Sequence, residues 1–182
     1  MANSSSREMR LWSAAGLCLF LIYASLYIAR PVAEYLRDRN LLRLVVFLIF
    51  ILTAALILWR VLLDGPRVRV LVTLGLVIGG YLVVLLGIPM LPEERLHFLE
   101  YGLFAGLVYG ALRERRRQGA ATLVSPFAGA LALTFVAGWV DEGIQAVLPN
   151  RVYDPRDVAF NTGAGLICLV SIMLLQRARV NE

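Results

Sequence analysis

The stretch LLRLVVFLIFILTAALILWRVLL, residues 41–63, is an apolar run long enough to cross a bilayer as an α-helix. Five further segments of similar character lie around it, at about residues 11–29, 68–90, 96–112, 120–140 and 158–175. Of the 182 residues, 59% are hydrophobic and only 17% are charged. The sequence therefore predicts an all-α fold, a polytopic transmembrane helix bundle of about six spans.

The basic residues predict how this bundle is oriented. The chain has no lysine, and all 18 basic side chains are arginines, which give a net charge of +5. With six spans, eleven arginines fall on the side of the termini and seven on the other side. The positive-inside rule therefore predicts that both termini are cytoplasmic. Charge placed at membrane ends meets anionic headgroups, so we do not interpret it as a nucleic-acid signal.

Two polar stretches interrupt the apolar pattern. They are PEERLHFLEYG, residues 92–102, and DEGIQAVLPNRVYDPRDVAFNTG, residues 141–163, and the predicted orientation turns both outward. The side chains that share a helical face within them are His97 with Glu100 and Tyr101, Glu142 with Gln145 and the flanking Asp141, and Asp157 with Asn161. Ionisable groups at membrane depth are costly, so these residues predict a functional pocket at the outer end of the bundle.

The candidate chemistry begins with His97, the only histidine in the chain. Glu100, one helical turn away, can hold the imidazole in one tautomer, as general acid–base catalysis requires. Glu142, beside Asp141, is a candidate partner for the histidine or a base for a water molecule. A metal site built from His97, Glu100 and Glu142 would be a weakly diagnostic cluster with a single histidine, and we predict no metal. The sequence does not identify a cofactor.

Structural interpretations compete with these functional ones. Asp154, followed by Pro155 and then Asp157, is typical of a helix start with an N-cap. Arg151 can reach lipid headgroups or pair with Asp141 or Glu142. The run RERRR, residues 113–117, is typical of a topology anchor. Gly102, Gly106 and Gly110 form two GxxxG motifs, which are typical of a helix-packing surface. Gly163 and Gly165 favour close approach of the last helix to its neighbours in the same way.

Three blocks together carry a resemblance. They are HFxxYGL at residues 97–103, DExxQ at residues 141–145 and RxxDxxDVxxNTG at residues 151–163. In this order and spacing they resemble the VanZ-like family of bacterial integral membrane proteins. The resemblance covers about residues 93–165, which divides the chain into an N-terminal three-helix membrane segment, residues 1–92, and a VanZ-like three-helix core, residues 93–182.

The resemblance implies a multi-pass protein of the bacterial cytoplasmic membrane with a role in the cell envelope. The family takes its name from an accessory protein of glycopeptide-resistance clusters that gives low-level teicoplanin resistance, and membership implies no particular reaction. The polar positions shared by the family correspond to His97, Tyr101, Asp141, Glu142, Gln145, Arg151, Asp157 and Asn161.

Three functions remain open at this point. The first is an enzyme that acts on a lipid-linked or headgroup substrate at the outer leaflet. Its catalytic residues would be His97, Glu100, Asp141 and Glu142, and its substrate-binding residues would be Tyr101, Gln145, Arg151, Asp157 and Asn161. The second is a non-catalytic binder of membrane lipid, of a lipid-linked envelope precursor or of a membrane-protein partner. The third is a small transporter or flippase, which the lack of a detectable internal repeat disfavours.

Overall fold

The computed structural model of the protein describes residues 5–88, 91–120, 124–149, 151 and 153–180. Asn150 and Val152 of the second polar stretch, and the side chain of Glu93 in the first, lie outside the described part. The described residues form α-helices and no β-strand, so the predicted all-α class is confirmed. The helices are α1 Ser6–Asp38, α2 Leu42–Leu63, α3 Val68–Gly87, α4 Pro92–Arg117, α5 Pro126–Val147 and α6 Pro155–Val180.

Five of these helices are long and apolar enough to cross a membrane, namely α1, α2, α3, α5 and α6. The exterior of the protein suits a lipid environment, because large apolar side chains such as Phe47, Leu76 and Leu86 are more than half exposed. These observations support a multi-pass membrane protein. Helix α4 is not among the five, since it carries the first polar stretch at one end and the arginine run at the other. A count of six spans and cytoplasmic termini stay predictions.

Local sequence signals explain where the last two helices begin. The Ser125 hydroxyl accepts a hydrogen bond of 3.1 Å from the backbone N–H of Ala128, and Pro126 follows as the first residue of α5. Asp154 acts in the same way for α6, because its Oδ1 accepts from the backbone N–H of Arg156 at 2.9 Å. The N-cap predicted at Asp154 is therefore confirmed.

The chain forms two compact units, and α1, α4 and α6 contribute to both. The first unit comprises the described parts of Met1–Arg30 and His97–Leu169. The second comprises the described parts of Pro31–Leu96 and Val170–Glu182. The sequence analysis divides the chain differently, into residues 1–92 and 93–182, according to where the polar motifs lie. That division stays a prediction.

The helices of the first unit alternate in direction, as hydrogen bonds between distant residues show. At one end, the backbone N–H of Ser5 donates to Gln118 Oε1 at 3.1 Å, which sets the start of α1 beside the end of α4. Further along, the Tyr23 hydroxyl of α1 donates to the Ala137 carbonyl of α5 at 2.8 Å. The arginine run of residues 113–117 therefore lies at one end of the unit, and the described residues of both polar stretches that belong to this unit lie at the other.

Small side chains let α4, α5 and α6 approach closely between these ends. A Cβ added at Gly165 would lie 2.9 Å from Thr134 Cγ2 and 3.2 Å from Ala105 Cβ, which is too close without movement of a neighbour. A Cβ at Gly163 would meet nothing within 4 Å. The close approach predicted for the last helix therefore depends on Gly165, and the prediction for Gly163 was wrong because that residue faces open space.

The second unit has two apolar clusters and an ion-pair network. Val61, Val70, Leu74 and Ala178 form one cluster, and Ala33, Leu42 and Val46 form the other. Asp64, directly after α2, accepts a 2.7 Å contact from Arg60 Nη1 and lies 3.3 Å from Arg179 Nη2. The hydrogen bond from Arg60, followed by the charges of Arg60 and Arg179, holds the pKa of the Asp64 carboxyl below its ordinary value.

We predict that Gly165→Ala lowers the free energy of unfolding by about 1–3 kcal/mol, the usual cost of overpacking a close helix contact. Gly163→Ala is the matched control, because it adds the same methyl group to the same helix where space is open, and it should leave stability unchanged or raise it by up to about 1 kcal/mol, since alanine has the higher helix propensity. Thermal unfolding in detergent micelles measures both variants. Equal losses would show that Gly165 does not set the helix approach.

We also predict a pH-dependent contribution from Asp64. Because its pKa is lowered in the folded protein, the stabilisation is complete above the ordinary pKa of aspartate, about 4, and is lost as pH falls through the lower folded value. Melting temperatures of wild type and Asp64→Asn should therefore differ near neutral pH and converge in acid. Asp38→Asn, at the exposed end of α1, is the control. A difference between wild type and Asp64→Asn that did not change with pH would contradict this account.

Candidate functional site

Helix α5 supplies the centre of the site near its C-terminal end. Asp141, Glu142 and Gln145 continue the buried stripe that begins with smaller residues such as Thr134 and Ala137. Both carboxylates are fully buried, with 0% exposure, and Gln145 is buried as well. Buried carboxylates need hydrogen-bond donors to replace lost water. The rest of the site consists largely of those donors.

Helix α4 provides a donor for Asp141. The hydroxyl of the fully buried Tyr101 donates to Asp141 Oδ2 at 2.8 Å. Gln145 Nε2 lies 3.5 Å from Asp141 Oδ1 and donates to Glu142 Oε1 at 3.0 Å. One amide therefore lies between the two carboxylates, and the predicted proximity of these residues is observed.

The start of α6 provides the remaining donor. The backbone N–H of Asp154 donates to Glu142 Oε2 at 2.8 Å, so both oxygens of Glu142 accept internal hydrogen bonds. We use the term polar cluster for Tyr101, Asp141, Glu142, Gln145 and the N–H of Asp154. The cluster joins α4, α5 and α6 at one end of the first unit.

The other α6 residues predicted from the sequence lie close by. Asp157, in the first turn of α6, acts electrostatically on Glu142. Asn161 is buried, and its Cβ lies 3.5 Å from where a Cβ at Gly138 would be. Gly138 therefore permits α5 and α6 to approach each other beside the cluster.

His97 and Glu100 lie next to the polar cluster on α4. His97 Nδ1 is 3.0 Å from Glu100 Oε2, and the His97 ring lies 6.4 Å from the Tyr101 ring, centroid to centroid. Although the two atoms are close, they are not aligned as a hydrogen bond, and neither has another hydrogen-bond partner among the described residues. The pair is held by charge when the imidazole is protonated. The hydrogen-bonding ability of these two atoms is not fully used.

Arg151 brings a positive charge to the same end. Its guanidinium acts electrostatically on His97 and on Asp141. Its Nε is buried and has no hydrogen-bond partner in the part of the chain that the structure describes. Buried donors without partners call for an explanation such as a water, an ion or a ligand. An anion beside Arg151 would supply the missing acceptor.

Two contacts from α1 were not predicted from the sequence. The Ala137 carbonyl oxygen accepts a hydrogen bond from the Tyr23 hydroxyl, and the Tyr101 hydroxyl lies 3.4 Å from the same oxygen. Cys18 Sγ approaches the Glu100 carbonyl oxygen at 3.9 Å. A tyrosine in the middle of an apolar run was the only available signal for Tyr23. These contacts place α1 against the cluster.

Among the described residues, no group of three or more histidine, cysteine, aspartate or glutamate side chains is placed to hold a metal ion. The arrangement offers two buried carboxylates, each of which can take up or release a proton. It also offers a tyrosine hydroxyl and an amide that can orient a bound group, and an arginine that can pair with an anion. Comparison of the chain with known protein families, with curated proteins and with solved structures finds no match.

The polar cluster predicts different costs for losing its two tyrosine hydroxyls. Tyr101→Phe removes a donor from a fully buried carboxylate and should lower the free energy of unfolding by about 1–3 kcal/mol. Tyr23→Phe removes the same atom, but its acceptor is a helix carbonyl, so the loss should stay below about 1 kcal/mol. Equilibrium unfolding in micelles compares the two. A larger loss for Tyr23→Phe would show that Asp141 does not depend on Tyr101.

Proposed function

We propose that this protein is a bacterial cell-envelope membrane protein of the VanZ-like type, and that its polar cluster binds and acts on a lipid-linked or headgroup substrate at the outer face of the cytoplasmic membrane. The observation that carries the proposal is the buried pair Asp141 and Glu142, linked by Gln145 and held by Tyr101. The resemblance of the sequence blocks around these residues supports the family.

A purely structural role explains the cluster poorly. Burying two adjacent carboxylates is expensive, and apolar side chains of similar volume commonly stabilise a fold at least as well. Acidic groups within membrane-spanning helices usually mark sites of binding or proton exchange. The buried Nε of Arg151 has no hydrogen-bond partner among the described residues, and its charge acts on Asp141, which supports a bound anionic group rather than a closed internal network.

The charges of the first unit support the outward orientation. The arginine run of residues 113–117 and the start of α1, with Arg7 and Arg10, lie at the end opposite to the polar cluster. The positive-inside rule assigns that basic end to the cytoplasm. The polar cluster then faces the outer leaflet, where lipid-linked envelope precursors are met.

Each residue has a role in the proposed reaction. Arg151 holds a phosphate oxygen of the substrate, since a guanidinium can pair with two of its oxygens. His97, oriented by Glu100, acts as general acid or base, and Glu142 is its partner or the base for a water. Asp141 completes the catalytic set as the acid beside Glu142. The remaining residues orient the substrate, and they are Tyr101, Gln145, Asp157 and Asn161.

One observation favours a second candidate, a non-catalytic receptor for the same lipid or for a membrane-protein partner. Both oxygens of Glu142 already accept internal hydrogen bonds, from Gln145 and from the Asp154 N–H. A general base needs at least one oxygen within reach of the proton that it removes. A receptor would need only Arg151 and the shape of the pocket.

Mass analysis of lipids separates the two candidates. The purified protein in bilayers is incubated with phospholipids and polyprenyl-linked wall precursors, beside Glu142→Gln, Arg151→Ala and the control Arg156→Ala, which removes an equal charge from an exposed neighbour. The enzyme predicts a changed lipid mass with wild type and with Arg156→Ala. It also predicts a loss of at least about a hundredfold in rate with Glu142→Gln, as expected for a general base.

The receptor predicts a different pattern. No lipid would change mass, wild type and Glu142→Gln would retain the same lipid, and Arg151→Ala would bind it about tenfold or more weakly because a charge-assisted contact is lost. If every variant both converted and retained lipids as the wild type does, the polar cluster would have neither function.

A further inference from the structure

A second polar feature of the first unit lies at its basic end, far along α4 from the polar cluster. It is an open cleft of about 430 Å³ between α4 and the first residue of α5. We call it the arginine cleft, and the residues that line it are Tyr109, Arg113, Arg116, Arg117 and Pro126. The volume lies within the range of ligand pockets in proteins.

Helical periodicity builds one wall of the arginine cleft. Arg113, Arg116 and Arg117 have i, i+3, i+4 spacing, and Tyr109 lies one turn before Arg113 on the same face. The two other charged residues of the run, Glu114 and Arg115, fall outside the cleft. Three guanidinium groups therefore converge on one concave surface.

The charge of the arginine cleft is not neutralised by nearby acids. Glu114, the only carboxylate in the run, is directed to Arg7 of α1, with 4.0 Å between Oε2 and Nε. In the described part of the chain, the three arginines of the cleft form no salt bridge with a carboxylate. A topology anchor requires only that arginines be present, whereas this arrangement keeps three of them together and available.

The surroundings indicate which anion fits. The cleft lies where α5, a helix able to cross the membrane, begins at Pro126. Leu133 is on the same face of α5 two turns later and is exposed. A phosphate group in the cleft could therefore continue into an acyl chain along α5. Basic pockets between membrane helices are known to hold anionic lipid headgroups.

We propose that the arginine cleft is a binding site for the phosphate headgroup of an anionic phospholipid in the leaflet on the basic side of the membrane. The guanidinium groups of Arg113 and Arg116 hold the phosphate oxygens, and Arg117 adds a third positive charge. The site is separate from the polar cluster, and it does not rest on the function proposed for that cluster.

Native mass spectrometry of the full chain in non-ionic detergent tests the site, with phosphatidylglycerol as the probe and phosphatidylcholine, a zwitterion without net charge, as the comparison. The wild type should retain one phosphatidylglycerol in preference to phosphatidylcholine. Arg113→Gln/Arg116→Gln should bind it about 30-fold more weakly, from about 1 kcal/mol for each arginine at a membrane surface. The matched control Arg10→Gln/Arg115→Gln removes the same charge from the same end, outside the cleft, and should bind within about fivefold of wild type.

Three results would overturn the proposal. Equal losses in the two double variants would show general charge attraction. Equal retention of the two lipids by the wild type would show no headgroup site. Inorganic phosphate that displaced phosphatidylglycerol at equal concentration would show a site for free anions. If the glutamine variant does not fold, Arg113→Lys/Arg116→Lys, which keeps the charge, decides: a loss of about fivefold or more supports paired guanidinium contacts, and wild-type affinity overturns them.

Discussion

The burial of two adjacent carboxylates on α5 is the constraint from which the first unit can be understood. Asp141 and Glu142 are removed from water, so their carboxylate oxygens must accept hydrogen bonds from protein groups instead. The donors come from Tyr101 on α4, from Gln145 on α5 itself and from the backbone of Asp154 before α6. Because the donors belong to three segments, satisfying the acids also fixes the position of α4 and of the start of α6 beside α5.

This constraint explains why the helices meet as closely as they do. A hydrogen bond of 2.8 Å from a tyrosine hydroxyl to Asp141 can form only if α4 and α5 approach each other at the level of Tyr101. One turn from Tyr101 on α4 and two turns from Asp141 on α5, Gly165 leaves room for Thr134 and Ala105 at the same three-helix contact. The polar cluster and the small residues therefore act together, since one supplies directional bonds and the other permits the distance that those bonds require.

Patterns confined to one helix could be predicted from the sequence, and contacts between helices could not. The helical positions and the shared faces of His97 with Tyr101, and of Glu142 with Gln145, follow from local periodicity. The N-cap at Asp154 is equally local. Tyr23 was missed because its partner, Ala137, is 114 residues away and is a backbone carbonyl. Helix α1 extends well past the predicted end of its apolar run, since Pro31 lies inside it rather than ending it, and an interior proline normally predicts the opposite.

The two donors to Glu142 are not equivalent, because they differ in how freely each can move. The Asp154 N–H is a backbone group in the residue that caps α6, so moving it would disturb the start of that helix. Gln145 is a side chain whose amide also lies 3.5 Å from Asp141 Oδ1, so it can turn toward Asp141 without loss of a partner. Of the two donors, Gln145 is therefore the one that can move while the capped helix stays in place.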